Sequence, residues 1–135
     1  MIRDGVNVIG YLDASRAEGL DTAILAVGDA FVAPSAESAA AVIDVSPLEP
    51  GRAEDDLVID IDRATTEPGA YPLVLVSYVI ACREYADSNE GELVHAYFEW
   101  IASAEGQEAA ADDAGSAPIS PALRERVEAA VAGIR

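Results

Sequence analysis

The feature that most constrains this chain is the run Tyr71-Pro72-Leu73-Val74-Leu75-Val76-Ser77-Tyr78-Val79-Ile80-Ala81-Cys82. It carries no charged residue, although the whole chain has a formal net charge of −17. It is too short to cross a bilayer as a helix. Its β-branched and aromatic content predicts a long strand buried on both faces, with Pro72 at the strand entry.

Shorter elements surround it. Val6 to Leu12 is a β-rich run after the turn signal Asp4-Gly5. Asp13 to Glu18 predicts one or two helical turns closed by Gly19. Thr22 to Val27 predicts a second strand ended by Gly28-Asp29, and Phe31-Val32 a third, very short one. A helix over 35–44 is capped by Ser35 and buries Ala39, Val42 and Ile43. Residues 46–56 form a loop with Pro47, Pro50 and Gly51. Leu57 to Ile61 predicts a strand with one apolar face. Residues 63–70 form a loop with a Pro68-Gly69 turn.

Three helices close the chain. Asn89 to Ser103 opens on a capping-box-like pair, Asn89 and Glu92. Its apolar face holds Leu93, Tyr97, Trp100 and Ile101, widened by Val94 and Phe98. On periodicity the Tyr97 and Trp100 face is ordinary core. A second helix covers roughly 105–112, and 115–119 is a loop. Ser120 caps the last helix with Pro121 at its first position, and Leu123, Val127, Val131 and Ile134 line its buried stripe. The order predicts an α/β fold without internal repeats.

Composition narrows the function. The 135 residues suffice for one domain, and a hydrophobic fraction of 51% excludes a disordered tail. All eight cationic side chains are arginine, as codon bias in a GC-rich genome would give. They are few and scattered, which excludes nucleic acid and an anionic membrane surface as partners. The sequence has no run long and apolar enough to span a membrane as a helix. Met1 to Gly10 contains no h-region of signal-peptide length. Taken literally the chain is cytoplasmic, a reading that fails if it is a fragment. The single cysteine, Cys82, cannot form an internal disulfide and reads as a small hydrophobe in its strand.

No constellation for catalysis emerges. His95 sits two positions from Leu93 and Tyr97, so it is expected to face solvent, and one His with one distant Cys makes no zinc site. Glu54, Asp55, Asp56, Asp60 and Asp62 are an acidic stretch that lacks the spaced ligands and central glycine of an EF-hand, so it reads as a solvated surface. There is no Walker loop, dinucleotide fingerprint or nucleophile elbow. Gly115-Ser116-Ala117-Pro118 has the makings of an anion nest or of a plain helix connection, and the connection is favoured. No enzyme, cofactor or metal is expected.

An ordered set of segments resembles a known family. Tyr71 to Ile80, Leu93-Val94-His95-Ala96-Tyr97-Phe98-Glu99-Trp100, Glu105 to Ala110 and Gly115 to Ile119 resemble the C-terminal part of phosphate-binding proteins of phosphate ABC transporters, especially the actinobacterial kind. Upstream, Asn7 to Tyr11, Gly51 to Asp56 and Asp62 to Thr66 resemble connecting segments in the same order, so the likeness is expected along nearly the whole chain. The resemblance implies a partial periplasmic-binding-protein fold of type 2, in which two α/β lobes close over one phosphate by a hinge. Residues 1–70 would be the C-terminal portion of lobe 2, and 71–135 the hinge return and helices completing lobe 1. It also implies an extracytoplasmic receptor that hands inorganic phosphate to ABC permease subunits. The family's phosphate ligands lie upstream of the matching region, so none is carried over; Arg52 and Arg63 lack the context of the family's phosphate arginine. Neither lobe would be whole, and exposed sheet edges would favour homo-oligomers. The alternative is a free-standing oligomerising or protein-interaction domain derived from that fold.

Overall fold

The computed structural model describes residues 5–17 and 19–135. The sequence expectations at Asp4 and Glu18 lie outside these residues. The elements are β1 (Leu25–Val27), β2 (Ala30–Val32), α1 (Ala36–Val45), α2 (Ser88–Ala102), α3 (Ala104–Ala114) and α4 (Pro121–Val131), preceded by a 3-10 turn over Ala14–Arg16. The mixture of helices with a small sheet is compatible with an α/β class.

β1 and β2 pair antiparallel, with Val27 opposite Ala30 across a two-residue loop. Gly28 takes a positive φ of 56° at the first loop position, as a type II′ hairpin turn requires. The strand expected over Thr22 to Val27 is shortened to Leu25–Val27, and the one expected at Phe31-Val32 begins at Ala30. The hairpin's inner side chains Val27 and Val32 pack on Tyr71, with Leu25 and Val74 against them. Tyr71 locks this cluster by polar contacts as well as by burial. Its hydroxyl donates to the Ala23 carbonyl at 3.1 Å, and its N–H donates to the Ser38 carbonyl of α1 at 2.9 Å. α1 begins at a reciprocal cap: Ser38 N donates to Ser35 Oγ at 3.0 Å and Ser35 N to Ser38 Oγ at 2.9 Å, satisfying two amides that a helix start leaves open. Its Val42 is fully buried.

The expected strand over 57–61 reduces to an isolated bridge, Leu48 with Ile59. Two backbone bonds flank it, Glu49 N to Val58 O and Asp60 N to Pro47 O. Pro47 and Pro50 limit further pairing, because neither has an N–H to give a ladder. The turn at Glu67–Ala70 closes with a 3.2 Å bond.

Three sequence expectations are corrected by the helices and the apolar run. α2 is capped by Asp87, whose carboxylate accepts from Asn89 N at 2.9 Å, so the helix starts before Asn89. A charged acceptor at the helix start is favoured by the macrodipole. The face of α2 turned inward is partly the expected one: Val94, Phe98 and Ile101 are half-buried. Gly91 and Ala102 are buried, and His95 and Phe98 are half-buried between them, a set spaced along one side of the helix. Leu93, Tyr97 and Trp100 are instead 72%, 58% and 52% exposed. Gly91 fixes which side faces the end of the chain. A Cβ on Gly91 would stand 2.6 Å from the Arg135 carbonyl carbon, so only glycine admits the close approach of the chain's last residues. These residues are tied down by Arg135 N to Arg83 O at 2.9 Å and Tyr85 N to Arg135 O at 2.8 Å. α2 packs against both α3 and α4.

The run 71–82 departs furthest from expectation. Only Tyr71 and Pro72 are buried; Leu75 is 94% and Ile80 91% exposed, and no strand is formed. Val6 to Leu12 is likewise exposed and unpaired in any strand. The chain exposes 9683 Å², whereas a compact monomer of 14.0 kDa would expose about 6,700 Å². That surplus, about 3,000 Å² on one chain, exceeds what one partner contributes to an interface of standard size, about 800 Å².

Candidate functional site

The surface most in want of a partner is the segment from Leu73 to Ala81. Among the described residues none of its backbone N–H groups has a hydrogen-bond partner. Its exposure alternates from Leu73 to Ser77, with Val74 and Val76 half-buried and Leu73, Leu75 and Ser77 exposed. Period two is the mark of a strand with one covered face. One edge is partly occupied. The Arg63 guanidinium donates to the Pro72 carbonyl at 2.7 Å and the Val74 carbonyl at 3.2 Å. Ile59 N donates to the Tyr78 hydroxyl at 3.0 Å, which anchors the middle of the segment to the 57–61 loop. The residues between, with Val79 57% exposed, present apolar side chains and unmet amides together. Such an edge is a template for strand addition.

The residues singled out for chemistry do not converge. Cys82 is exposed rather than buried as a core hydrophobe, and its N–H donates to the Tyr85 hydroxyl at 3.1 Å. The run that was to bury it has no covering layer. His95 faces inward, not toward solvent, with Nδ1 3.3 Å from the Ile134 carbonyl. The rotation of α2 that exposes Leu93 is what turns His95 in. The acidic stretch is a set of surface partners. Asp56 and Glu49 bracket Arg52 at 2.9 and 3.2 Å, and Asp55 pairs with Arg83. The neighbouring Asp56 carboxylate holds the Arg52 proton more tightly than usual, with Glu49 adding to it. Asp62 accepts from Ala64 N within its own turn. No cluster of acid, His or Cys side chains able to hold a metal occurs among the described residues.

Helix starts are the other places where an anion could lodge, and each of the four α-helices has a side chain capping one of its first amides. An open depression of about 430 Å³ lies at the start of α1, lined by Phe31, Ser35, Glu37, Ser38, Pro68 and Gly69 among others. Both serines serve the reciprocal cap, Ser38 Oγ donates onward to the Ala33 carbonyl at 2.9 Å, and Glu37 adds negative charge at the rim. Gly115 is the left-handed cap of α3. Beyond it, Ile119 N donates to Gln107 Oε1 at 3.0 Å while Gln107 Nε2 donates to the Ile101 carbonyl. The 115–118 segment is thus a helix connection, pinned by Gln107. Arg63, through its two carbonyl contacts, supports the apolar run. No helix among the described residues is long and apolar enough to cross a membrane.

Comparison with known proteins gives this surface a context. Over 82 residues the chain is 38% identical to the phosphate-binding protein PstS2 of Mycobacterium bovis BCG, and equally to the phosphate-binding protein PstS 3 of Mycobacterium tuberculosis H37Rv. PstS 3 of Mycobacterium leprae is 32% identical over the same length. This chain is similar to the phosphate-binding proteins of mycobacteria. The likeness covers 59% of this chain, less than the nearly complete match expected from its segments. The chain spans only 22% of the length of these phosphate-binding proteins. No family model and no solved structure gives a significant match.

Proposed function

We propose that this chain corresponds to the C-terminal portion of an extracytoplasmic phosphate receptor of an ABC uptake system, and that it is not an enzyme. The observation that carries this reading is the 38% identity to phosphate-binding proteins across 82 residues. In this reading residues 1–70 belong to lobe 2 of a type 2 periplasmic-binding-protein fold, and 71–135 return through the hinge to complete lobe 1. The open run 73–81 and the exposed Leu93, Tyr97 and Trp100 are then surfaces on which the rest of the receptor packs. Phosphate and the permease subunits are partners of the whole receptor. No residue of this chain holds the phosphate, which agrees with the engaged hydroxyls at Ser35 and Ser38 and with the ties of Arg52 and Arg63.

Two measurements test this. Calorimetry of the chain with inorganic phosphate is expected to show no binding at millimolar ligand; sub-micromolar affinity would place a site within it. A chimera in which the matched 82 residues replace their counterpart in PstS 3 of Mycobacterium tuberculosis is expected to bind phosphate. A soluble, folded chimera that binds none would remove the receptor reading.

A second reading, a free-standing interaction domain with this architecture, is favoured by one observation. About 3,000 Å² of surplus surface and a run of unmet amides over 73–81 among the described residues coexist in one chain.

A further inference from the structure

We infer that ionic strength sets how far α3 is formed, its second half folding fully only when salt screens the carboxylates it carries. The device is independent of the receptor reading above. A formal net charge of −17 opposes compaction at low salt through self-repulsion. The ion pairs among the described residues, at Arg52, Arg83 and Arg135, engage Glu49, Asp55, Asp56 and Glu84. Most of the 25 acidic residues are left to the solvent and to one another.

Every α-helix described ends against its own dipole. The last turns hold Asp44 in α1, Glu99 in α2, Asp112 and Asp113 in α3 and Glu128 in α4, and none holds a base. All five carboxylates are exposed, and each faces the negative end of a helix macrodipole. Two features single out α3. It carries Glu105, Glu108, Asp112 and Asp113 and no cation, and Glu108 and Asp112 stand four residues apart, where like charges repel. Burial does little for its far end. Its one buried residue is Gly106, in the first turn, and Gln107 pins that same half to the Ile101 carbonyl and the Ile119 amide. The far end rests on the cap, where Gly115 N donates to the Ala111 carbonyl at 2.9 Å. An 11-residue helix is about 16 Å long. At 0.01 M salt the Debye length, about 30 Å, exceeds the helix; at 1 M it is about 3 Å, less than one turn. Salt over this range therefore removes both the repulsion and the unfavourable dipole contact.

Amide hydrogen exchange of the full chain in 0.01 M and 1 M sodium chloride, about the range over which screening changes most, provides the test. Protection of the Gly115 amide is expected to rise about tenfold with salt, the size set by two carboxylates at a helix end and one repelling pair. The Gln107 amide, bonded to the Ser103 carbonyl in the first turn, should change little. Two variants that each remove one charge separate the helix end from the net charge. Asp112→Asn should raise Gly115 protection at the lower salt and shrink its response to salt. Glu105→Gln takes a carboxylate from the favourable end of the same helix and should not raise that protection. Equal Gly115 protection at the two salts overturns the inference. A rise in Glu105→Gln that matches the one in Asp112→Asn also overturns it, by assigning the effect to net charge alone. Protection gained at micromolar calcium chloride, far below screening concentrations, overturns it as well, by making the far end of α3 the seat of a bound ion.

Discussion

Two apolar segments of this chain carry the same strand-forming residue types and meet opposite fates. Leu25–Val27 pairs with Ala30–Val32 three residues on and packs on Tyr71. Leu73 to Ala81 is longer and more apolar, yet remains without a ladder. The difference is where the partner lies. A hairpin closes a two-residue loop at small entropic cost and finds its hydrogen bonds locally. A strand destined for the middle of a sheet takes its neighbours from distant sequence, and among the described residues none reaches it. Strand propensity describes fitness for a pleated, half-buried surface and cannot create that surface.

The contrast is broken most directly by amide hydrogen exchange in dilute solution. The amides of Leu73 to Ala81 should exchange at nearly the rate of an unfolded peptide, since exchange protection follows hydrogen bonding and burial. The ladder amides of β1 and β2, and Tyr71 N bound to the Ser38 carbonyl, should exchange orders of magnitude more slowly. Protection spread evenly over both segments in a monomer would show that 73–81 has an internal partner after all.

Side-chain truncation sharpens the contrast energetically. Tyr71→Ala removes a buried ring and the hydroxyl bond to Ala23 from the cluster joining the hairpin to α1. A loss of about 3–5 kcal/mol is expected in chemical denaturation, the usual range for large aromatic truncations in a core. Leu93→Ala alters an apolar side chain that is 72% exposed and should shift stability by less than about 0.5 kcal/mol. Equal losses for the two would mean that the α2 face carrying Leu93 is packed in solution.

Legibility in the sequence followed the same division. The caps at Ser35 and Ser120, the Gly28-Asp29 hairpin loop, the Pro68-Gly69 turn and the closing helices were readable because each depends on residues within a few positions of one another. The face of α2 was not. Leu93, Tyr97 and Trp100 have the spacing of a core stripe, but Gly91, His95, Phe98 and Ala102 share a stripe of their own, and hydropathy favours the larger side chains. Close approach to Arg135 requires glycine at position 91, a requirement that no hydrophobic period encodes. His95 was misplaced by the same rotation. The open edge was legible only as a run of strand formers; its lack of partners is a property of the whole chain.

The smallest expected effect tests how far local structure survives without packing. The 3-10 turn at Ala14–Arg16 lies beside the exposed run ending at Leu12 and has no buried residue. It is held by Asp13, whose Oδ1 accepts from Ser15 Oγ at 2.8 Å and from Ser15 N at 3.1 Å. These bonds favour the carboxylate, so the Asp13 pKa lies below its ordinary value, the Ser15 hydroxyl contributing most. A depressed folded pKa means that the turn gains from the charged form above the unfolded pKa, about 3.9. That gain is lost as the pH falls through the lower folded value. Because Asp13 is open to solvent, the change should be confined to the turn and leave the hairpin and α1 unmoved. An NMR titration should therefore give an Asp13 midpoint below about 3.9, with the Ser15 amide shifting alongside it. In Asp13→Asn the uncharged amide oxygen still accepts, so the turn should persist while the pH dependence of the Ser15 amide disappears. An Asp13 midpoint at or above the ordinary value would mean that the cap bonds do not form in solution, and that even this local element waits for a partner.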